Sequence, residues 1–200
     1  MLEYVIEQEL NSEGFEFICG VDEAGRGPLC GSVVAAAVIL PQGLYIEGLN
    51  DSKKLTEKKR EALFDVICES AIAYSIVEAT VEEIDSTNIL EATLNAMRRA
   101  VNSLSPKAEF ALIDGNIARG FDIPARPVVH GDAISPSIAA ASILAKVTRD
   151  RKCIEWDKQY PQYNIAKHKG YGTNDHMNAL REYGPSPIHR KKFIRFLDEE

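Results

Sequence analysis

The sequence predicts an α/β protein, a mixed sheet with helices packed on it and a helical C-terminal extension. Three observations carry that expectation. Apolar runs of strand length recur along the first two thirds of the chain, with helical periods between them. The first two strands follow each other at hairpin distance, whereas later ones are separated by helices, so antiparallel and parallel pairs share one sheet. After the last strand only helical and loop-forming segments remain.

The elements follow in order. Residues 1–14 are acidic and form a short helix ended by Gly14. Phe15 to Val21 is a strand, Asp22 to Pro28 a turn with two glycines, and Gly31 to Leu40 a second strand stopped by Pro41. Leu55, Leu63, Phe64 and Ile67 give helical spacing over 55–70, started by Thr56, and Ala73 to Val81 is a third strand. Ile89, Leu90, Leu94, Met97, Val101 and Leu104 mark the clearest helix, with Asp85, Ser86 and Thr87 as candidate caps. Glu109 to Ile113 and Pro127 to His130 are further strands. Ser135-Pro136 opens a long helix, with Ser as cap and Pro in its first turn. Ala139-Ala140-Ala141-Ser142 keeps part of it narrow enough to lie close against a sheet. Loops are expected at 161–172 and 184–189. Residues 1–160 read as the core and 161–200 as an extension packed on it.

Composition bounds the function. With 45% apolar and 26% charged residues in 200, the chain is an ordinary globular protein, and 13 Gly and 9 Pro are too few for a collagenous or low-complexity chain. The longest apolar run, Val33 to Leu40, is far short of the roughly 20 residues of a membrane helix. Glu3, Glu7 and Glu9 replace the basic start of a signal peptide, so a cytoplasmic location is expected. Cys19, Cys30, Cys68 and Cys153 form no C-x-x-C pair and read as reduced, buried thiols. His130, His168, His176 and His189 lack H-x₃₋₅-H spacing, and no metal is assigned to them.

The net charge of −7 argues against a nucleic-acid partner until it is divided along the chain. Residues 146–195 carry 12 Lys plus Arg against 5 Asp plus Glu, and the rest carries 11 against 25. The whole-chain value averages a basic C-terminal third and an acidic remainder. A positive groove wall facing an acidic sheet edge is the expected result.

Three strands run into acids: Asp22-Glu23, Asp114 and Asp132. A single Asp after a strand serves equally as a turn residue or helix cap. Strand ends that meet in one sheet would instead gather four mutually repelling carboxylates, a set that hard divalent cations such as Mg²⁺ or Mn²⁺ neutralise. Two such cations suit phosphoryl transfer. Gly25-Arg26-Gly27-Pro28 is either a plain hairpin turn or a loop whose amides and guanidinium approach an anion. It is no dinucleotide fingerprint, because Cys30 stands where a third Gly is needed and a strand follows. Ser52 and Lys53, in the loop before a helix, are placed for a phosphate, while Lys58, Lys59 and Arg60 read as a solvated face. Tyr171, between Gly170 and Gly172 in a basic loop, either packs the C-terminal helices or stacks on a sugar or base.

Taken together these blocks resemble the type 2 ribonucleases H, in the ribonuclease HII branch. The resemblance rests on residues 20–28 (Gly20-Val21-Asp22-Glu23-Ala24-Gly25-Arg26-Gly27-Pro28), on Asp51-Ser52-Lys53-Lys54-Leu55 and on Ile113-Asp114-Gly115-Asn116. It continues in Gly131-Asp132 with the 137–147 helix, in Lys169-Gly170-Tyr171-Gly172-Thr173 and in Ser186-Pro187-Ile188-His189-Arg190, in order from about residue 17 to 193. It implies a ribonuclease H-like fold and an endoribonuclease that cuts the RNA strand of RNA–DNA hybrids and 5′ of a lone ribonucleotide in duplex DNA. It implies Asp22, Glu23, Asp114 and Asp132 as the catalytic, metal-binding quartet for two Mg²⁺ or Mn²⁺ ions, and 5′-phosphate and 3′-OH products. It also implies that Gly25, Arg26 and Gly27 read the ribose 2′-OH, that Ser52 and Lys53 hold phosphates, and that Tyr171 stacks at the ribonucleotide–deoxyribonucleotide junction.

Lys191 and Lys192 stand where the family's Pro-Ile-His-Arg block usually continues into Ser. Phe193-Ile194-Arg195-Phe196-Leu197 lacks the Gln of a sliding-clamp peptide, so no clamp binding is expected. No obligate protein partner is evident in the sequence, and a monomer is expected. The sister ribonuclease HIII carries an added N-terminal domain and Glu as fourth acid; about 16 residues before the first strand, and Asp132, favour HII. A non-catalytic hybrid-binding module would be expected to lack an acid, and a small-molecule phosphotransferase would have no use for the basic C-terminal third.

Overall fold

The computed structural model describes residues 2–197. A five-stranded sheet of order β3-β2-β1-β4-β5 forms its centre. The strands are β1 (Ile18–Ala24), β2 (Val33–Ile39), β3 (Ala73–Ala79), β4 (Phe110–Asp114) and β5 (Ala125–Val128). Strands β1, β2 and β3 pair antiparallel, while β4 runs parallel to both β1 and β5. The helices are α1 (Val5–Ser12), α2 (Glu57–Ser70), α3 (Val81–Ser86), α4 (Ile89–Asn102), α5 (Pro136–Gln159), α6 (Ile165–His168) and α7 (Asn174–Tyr183).

The period of two in β2 sorts the core. Val33, Ala35, Ala37 and Ile39 meet Leu94, Met97 and Val101 of α4 on one face. Val34, Ala36 and Val38 meet Ile143, Leu144 and Val147 of α5, with Leu63 and Ile67 of α2, on the other. A strand buried on both faces reads as a continuous apolar run, as β2 does. Close approach of α5 to β1 depends on Gly20, where a Cβ would lie 2.1 Å from the Ser137 carbonyl carbon. The small-residue stretch of α5 thus does what its sequence suggests.

Four expectations need correction. Strand β1 extends through Asp22 and Glu23, which pair with Ala36 and Ala35, because β2 is long enough to keep bonding past the apolar run. The acids sit within the strand and the turn starts later. Val81 does not end β3: a Thr80–Glu83 capping box starts α3 there, Asp85 and Ser86 belong to α3, and Asn88 caps α4. Strand β5 spans Ala125–Val128, with Pro127 tolerated because the strand is an edge, and His130 turns left-handed at φ 57°. The 161–172 segment contains a 3-10 turn and α6. Ser135 caps α5, accepting from the Ile138 N–H, with Pro136 next, as its sequence indicates. The four cysteines are free, with Cys68 partly exposed and the others buried. No helix among the described residues is long and apolar enough to cross a membrane.

Candidate active site

Alternation along β1 sends Asp22 to the α5 face and Glu23 to the α4 face. Asp22 follows Gly20, which touches α5, and Glu23 follows Val21 of the α4-side core. Strand β4 lies parallel with Ile113 opposite Val21, so Asp114 ends its strand beside Asp22. The chain then returns through β5 and a 3-10 turn at Gly131–Ala133 that carries Asp132. That turn is tied to β4: the Gly131 N–H donates to Asp114 Oδ1 at 2.8 Å. The sheet end therefore brings together all four predicted acids.

Their electrostatics are unbalanced. Asp22, 5% exposed, is held well above the ordinary carboxyl range by burial first, then by the charges of Glu23 and Asp114. Burial likewise raises Glu23, opposed by Arg26, whose Nη1 lies 3.4 Å from Glu23 Oε1. Asp114 is raised by burial and by Asp132. A second cation reaches the cluster: Lys53 Nζ donates to Asp132 Oδ2 at 3.0 Å. Ser52 is buried, with Oγ 2.8 Å from Ser142 Oγ, so its hydroxyl faces inward and braces the turn that presents Lys53.

Opposite the acids lies the 25–31 loop. Gly25 has φ +100°, and a Cβ there would overlap the Arg149 side chain at 2.0 Å, so this position admits Gly alone. Arg190, fully buried, donates to the carbonyls of Gly25, Arg26, Pro28 and Gly31 at 2.6–2.9 Å. Arg149 reaches the Cys30 and Lys169 carbonyls. Two buried guanidiniums thus turn the loop's carbonyls inward. Tyr171, half-exposed, passes close to Gly27, whose Cβ position lies 3.2 Å from the ring.

A cleft of about 250 Å³ is lined by Asp22, Glu23, Asp114, Gly25, Arg26, Gly27, Ser52, Lys53 and Tyr171, every predicted site residue except Asp132, which adjoins it through Lys53 and Asp114. Ser142, Lys146 and Arg149 also line it. Sequence reasoning did not single these out. Polar residues buried along α5 were the available signal, since Ser137, Ser142, Arg149 and Asp150 lie among its buried apolar side chains. A larger cavity of about 440 Å³ at α1 and Pro41 lies away from the acids.

A central mixed sheet with acids converging at one end, on a donor set of carboxylate oxygens alone, is the architecture of the ribonuclease H-like, metal-dependent endonucleases. Hard divalent cations fit a site whose carboxyls are raised for want of positive charge. Within that class the chain belongs to the ribonuclease HII family, whose model matches residues 19–196. Ribonuclease HII of Caldanaerobacter subterraneus subsp. tengcongensis is 55% identical over 188 residues, 94% of this chain and 78% of that protein. The crystal structure of ribonuclease H2 from Pyrococcus horikoshii superposes with a TM-score of 0.78 at 27% identity, covering 92% of this chain and 98% of that one. A PCNA complex of RNase HII from Archaeoglobus fulgidus shares the fold, with a TM-score of 0.74 at 23% identity over 88% of this chain and 95% of that one. Family membership carries ribonuclease H activity on RNA–DNA hybrids and dependence on a divalent metal.

Proposed function

We propose that this enzyme cuts the RNA strand of hybrids and also nicks duplex DNA on the 5′ side of a single embedded ribonucleotide, leaving 5′-phosphate and 3′-OH ends. One observation carries the reading: Asp22, Glu23 and Asp114 line one cleft with a glycine loop and the tyrosine that passes close to it, and Asp132 adjoins that cleft through Lys53 and Asp114. Asp22, Glu23, Asp114 and Asp132 would hold two Mg²⁺ or Mn²⁺ ions. Bound there, such ions activate water at neutral pH and stabilise the leaving oxygen.

The chain's own residues supply position and recognition. Gly25, Arg26 and Gly27 present amides and a guanidinium to the ribose 2′-OH and its phosphate, the group that separates RNA from DNA. Because Arg190 engages the loop carbonyls, the loop geometry is set before substrate arrives. Lys53 and divalent cations compete for Asp132, so Lys53 becomes available to a backbone phosphate once the carboxylates are neutralised. Ser52 acts by fixing Lys53. Tyr171 stacks at the junction. The division into a core over 1–160 and an extension over 161–200 belongs to the same proposal, since the acids come from the first part and Tyr171 and Arg190 from the second.

The test is a duplex with one embedded ribonucleotide, incubated with Mg²⁺, Mn²⁺ or EDTA, with ends mapped. A metal-dependent nick 5′ of the ribonucleotide is expected. Cleavage in EDTA, or none with either metal, would overturn the reading.

A further inference from the structure

Both backbone polar groups of Tyr171 end on histidine residues. Its N–H donates to the His168 carbonyl at 3.0 Å, and its carbonyl lies 3.0 Å from His176 Nδ1 while also accepting the Thr173 N–H at 2.8 Å. Behind it, His176 Nε2 faces His189 Nε2 at 3.0 Å, both rings being buried. His189 Nδ1 in turn receives the Ser186 backbone N–H at 3.0 Å, with Ser186 Oγ at 2.8 Å.

The two ends of this row dictate where its protons sit. A backbone N–H only donates, so His189 Nδ1 is bare and its proton is on Nε2. A carbonyl only accepts, so His176 carries its proton on Nδ1 and has a lone pair on Nε2. The shared contact then has one direction: His189 Nε2–H donates to His176, and His176 Nδ1–H donates to Tyr171. His168, stacked on His176 at a centroid distance of 4.4 Å, is ordered likewise. Its Nδ1 accepts from the Gly170 N–H at 3.2 Å and its Nε2 donates to the Tyr163 carbonyl at 2.8 Å.

We propose that His176 and His189 form a proton-ordered pair that positions Tyr171, and so sets the enzyme's discrimination for the ribonucleotide–deoxyribonucleotide junction. This deepens the functional reading above and rests on its assignment of Tyr171. The pair is a relay and not a metal site, although Cys30, His176 and His189 bring ligand atoms within 4.8 Å of one another. A cation on His189 Nε2 would need the proton on Nδ1, where the Ser186 N–H already points. An added proton fails for the same reason, because it would set two donors face to face. Burial accordingly pushes His189 down to about 4 and lowers His176.

Nitrogen NMR of the wild-type protein in EDTA reads the order directly. His176 is expected with its proton on Nδ1, and His189 and His168 with theirs on Nε2. The reverse tautomer, or a doubly protonated His176 or His189 at about pH 7, overturns the relay. In kinetics, His176→Leu should lower kcat on the single-ribonucleotide duplex roughly tenfold more than on an all-RNA hybrid. His176→Asn, whose amide nitrogen can replace Nδ1, should recover most of that loss. Equal loss on both substrates, or no recovery, overturns the inference. Tyr171→Ala separates the two levels. If it leaves the substrate ratio unchanged, the reading of Tyr171 falls; if it shifts the ratio and His176→Leu does not, the histidine pair has no positioning role.

Discussion

The acid end of the sheet and the histidine–arginine layer beneath the 25–31 loop are both polar and largely buried, yet they are built in opposite ways. At the acid end, Asp22, Glu23 and Asp114 are each raised by burial and by at least one like charge. In the other layer Arg190 meets four carbonyls, and each ring nitrogen of His168, His176 and His189 faces a partner of the complementary kind. The difference teaches a division of labour. The region proposed to take up cations is left short of positive charge, whereas the region proposed to hold the loop's shape is satisfied internally.

The contrast can be broken by substitution. Asp132→Asn or Asp22→Asn should lower metal-dependent cleavage about a thousandfold or more, with the fold retained by circular dichroism; normal Mg²⁺-dependent turnover in either would remove that acid from the quartet. Arg190→Met should strip donors from buried carbonyls and cost about 3 kcal/mol of stability, read as a lowered denaturant midpoint. Unchanged stability would mean the loop keeps its shape without the guanidinium. Tyr171→Ala should slow the junction substrate roughly tenfold while weakening binding less, which a kcat and KM measurement on the two substrates resolves.

Stability against pH sharpens the comparison. His189 is lowered in the fold, so its contribution is full above the ordinary value of 6.5 and is lost as pH falls through about 4, and His176, also lowered by burial, acts in the same direction. Cys30, Tyr163, His168, Thr173 and Ser186 are polar or titratable groups that face that pair. The raised carboxyls run the other way. The Asp22 contribution is full below its ordinary value of 3.8 and is lost as pH rises through the raised one. Melting curves in EDTA between these limits should therefore show the wild type gaining from Asp22→Asn at neutral pH by about 1 kcal/mol, or 2–4 °C. A loss of stability in that variant would show the acid end to be satisfied without cations. Association with hybrid should weaken as salt rises, since the 146–195 segment is basic; salt-independent binding would contradict a positive groove wall.

Most of the fold was legible because its signals are local. The alternation in β2, the period of α4, and the Ser135-Pro136 start of α5 each lie within a few residues. So do the strand-end acids and the glycine loop, which is why those candidates could be named from motifs whereas Ser142, Lys146 and Arg149 could not. Boundaries failed where a partner strand or a cap competes. The run ending at Val21 says nothing of Ala36 and Ala35, which draw Asp22 and Glu23 into the sheet. Burial is not legible either: Ser52 is expected beside a phosphate, and only the fold places its hydroxyl 2.8 Å from Ser142 Oγ.

A linear chain can display which residues are acidic, small or glycine, and those properties belong to each position alone. It cannot display that Arg190 lies under Gly25, or that two histidines thirteen positions apart share one hydrogen bond. Those contacts exist only after packing closes loops across the whole molecule, because hydrogen-bond direction and desolvation depend on the neighbours that folding supplies.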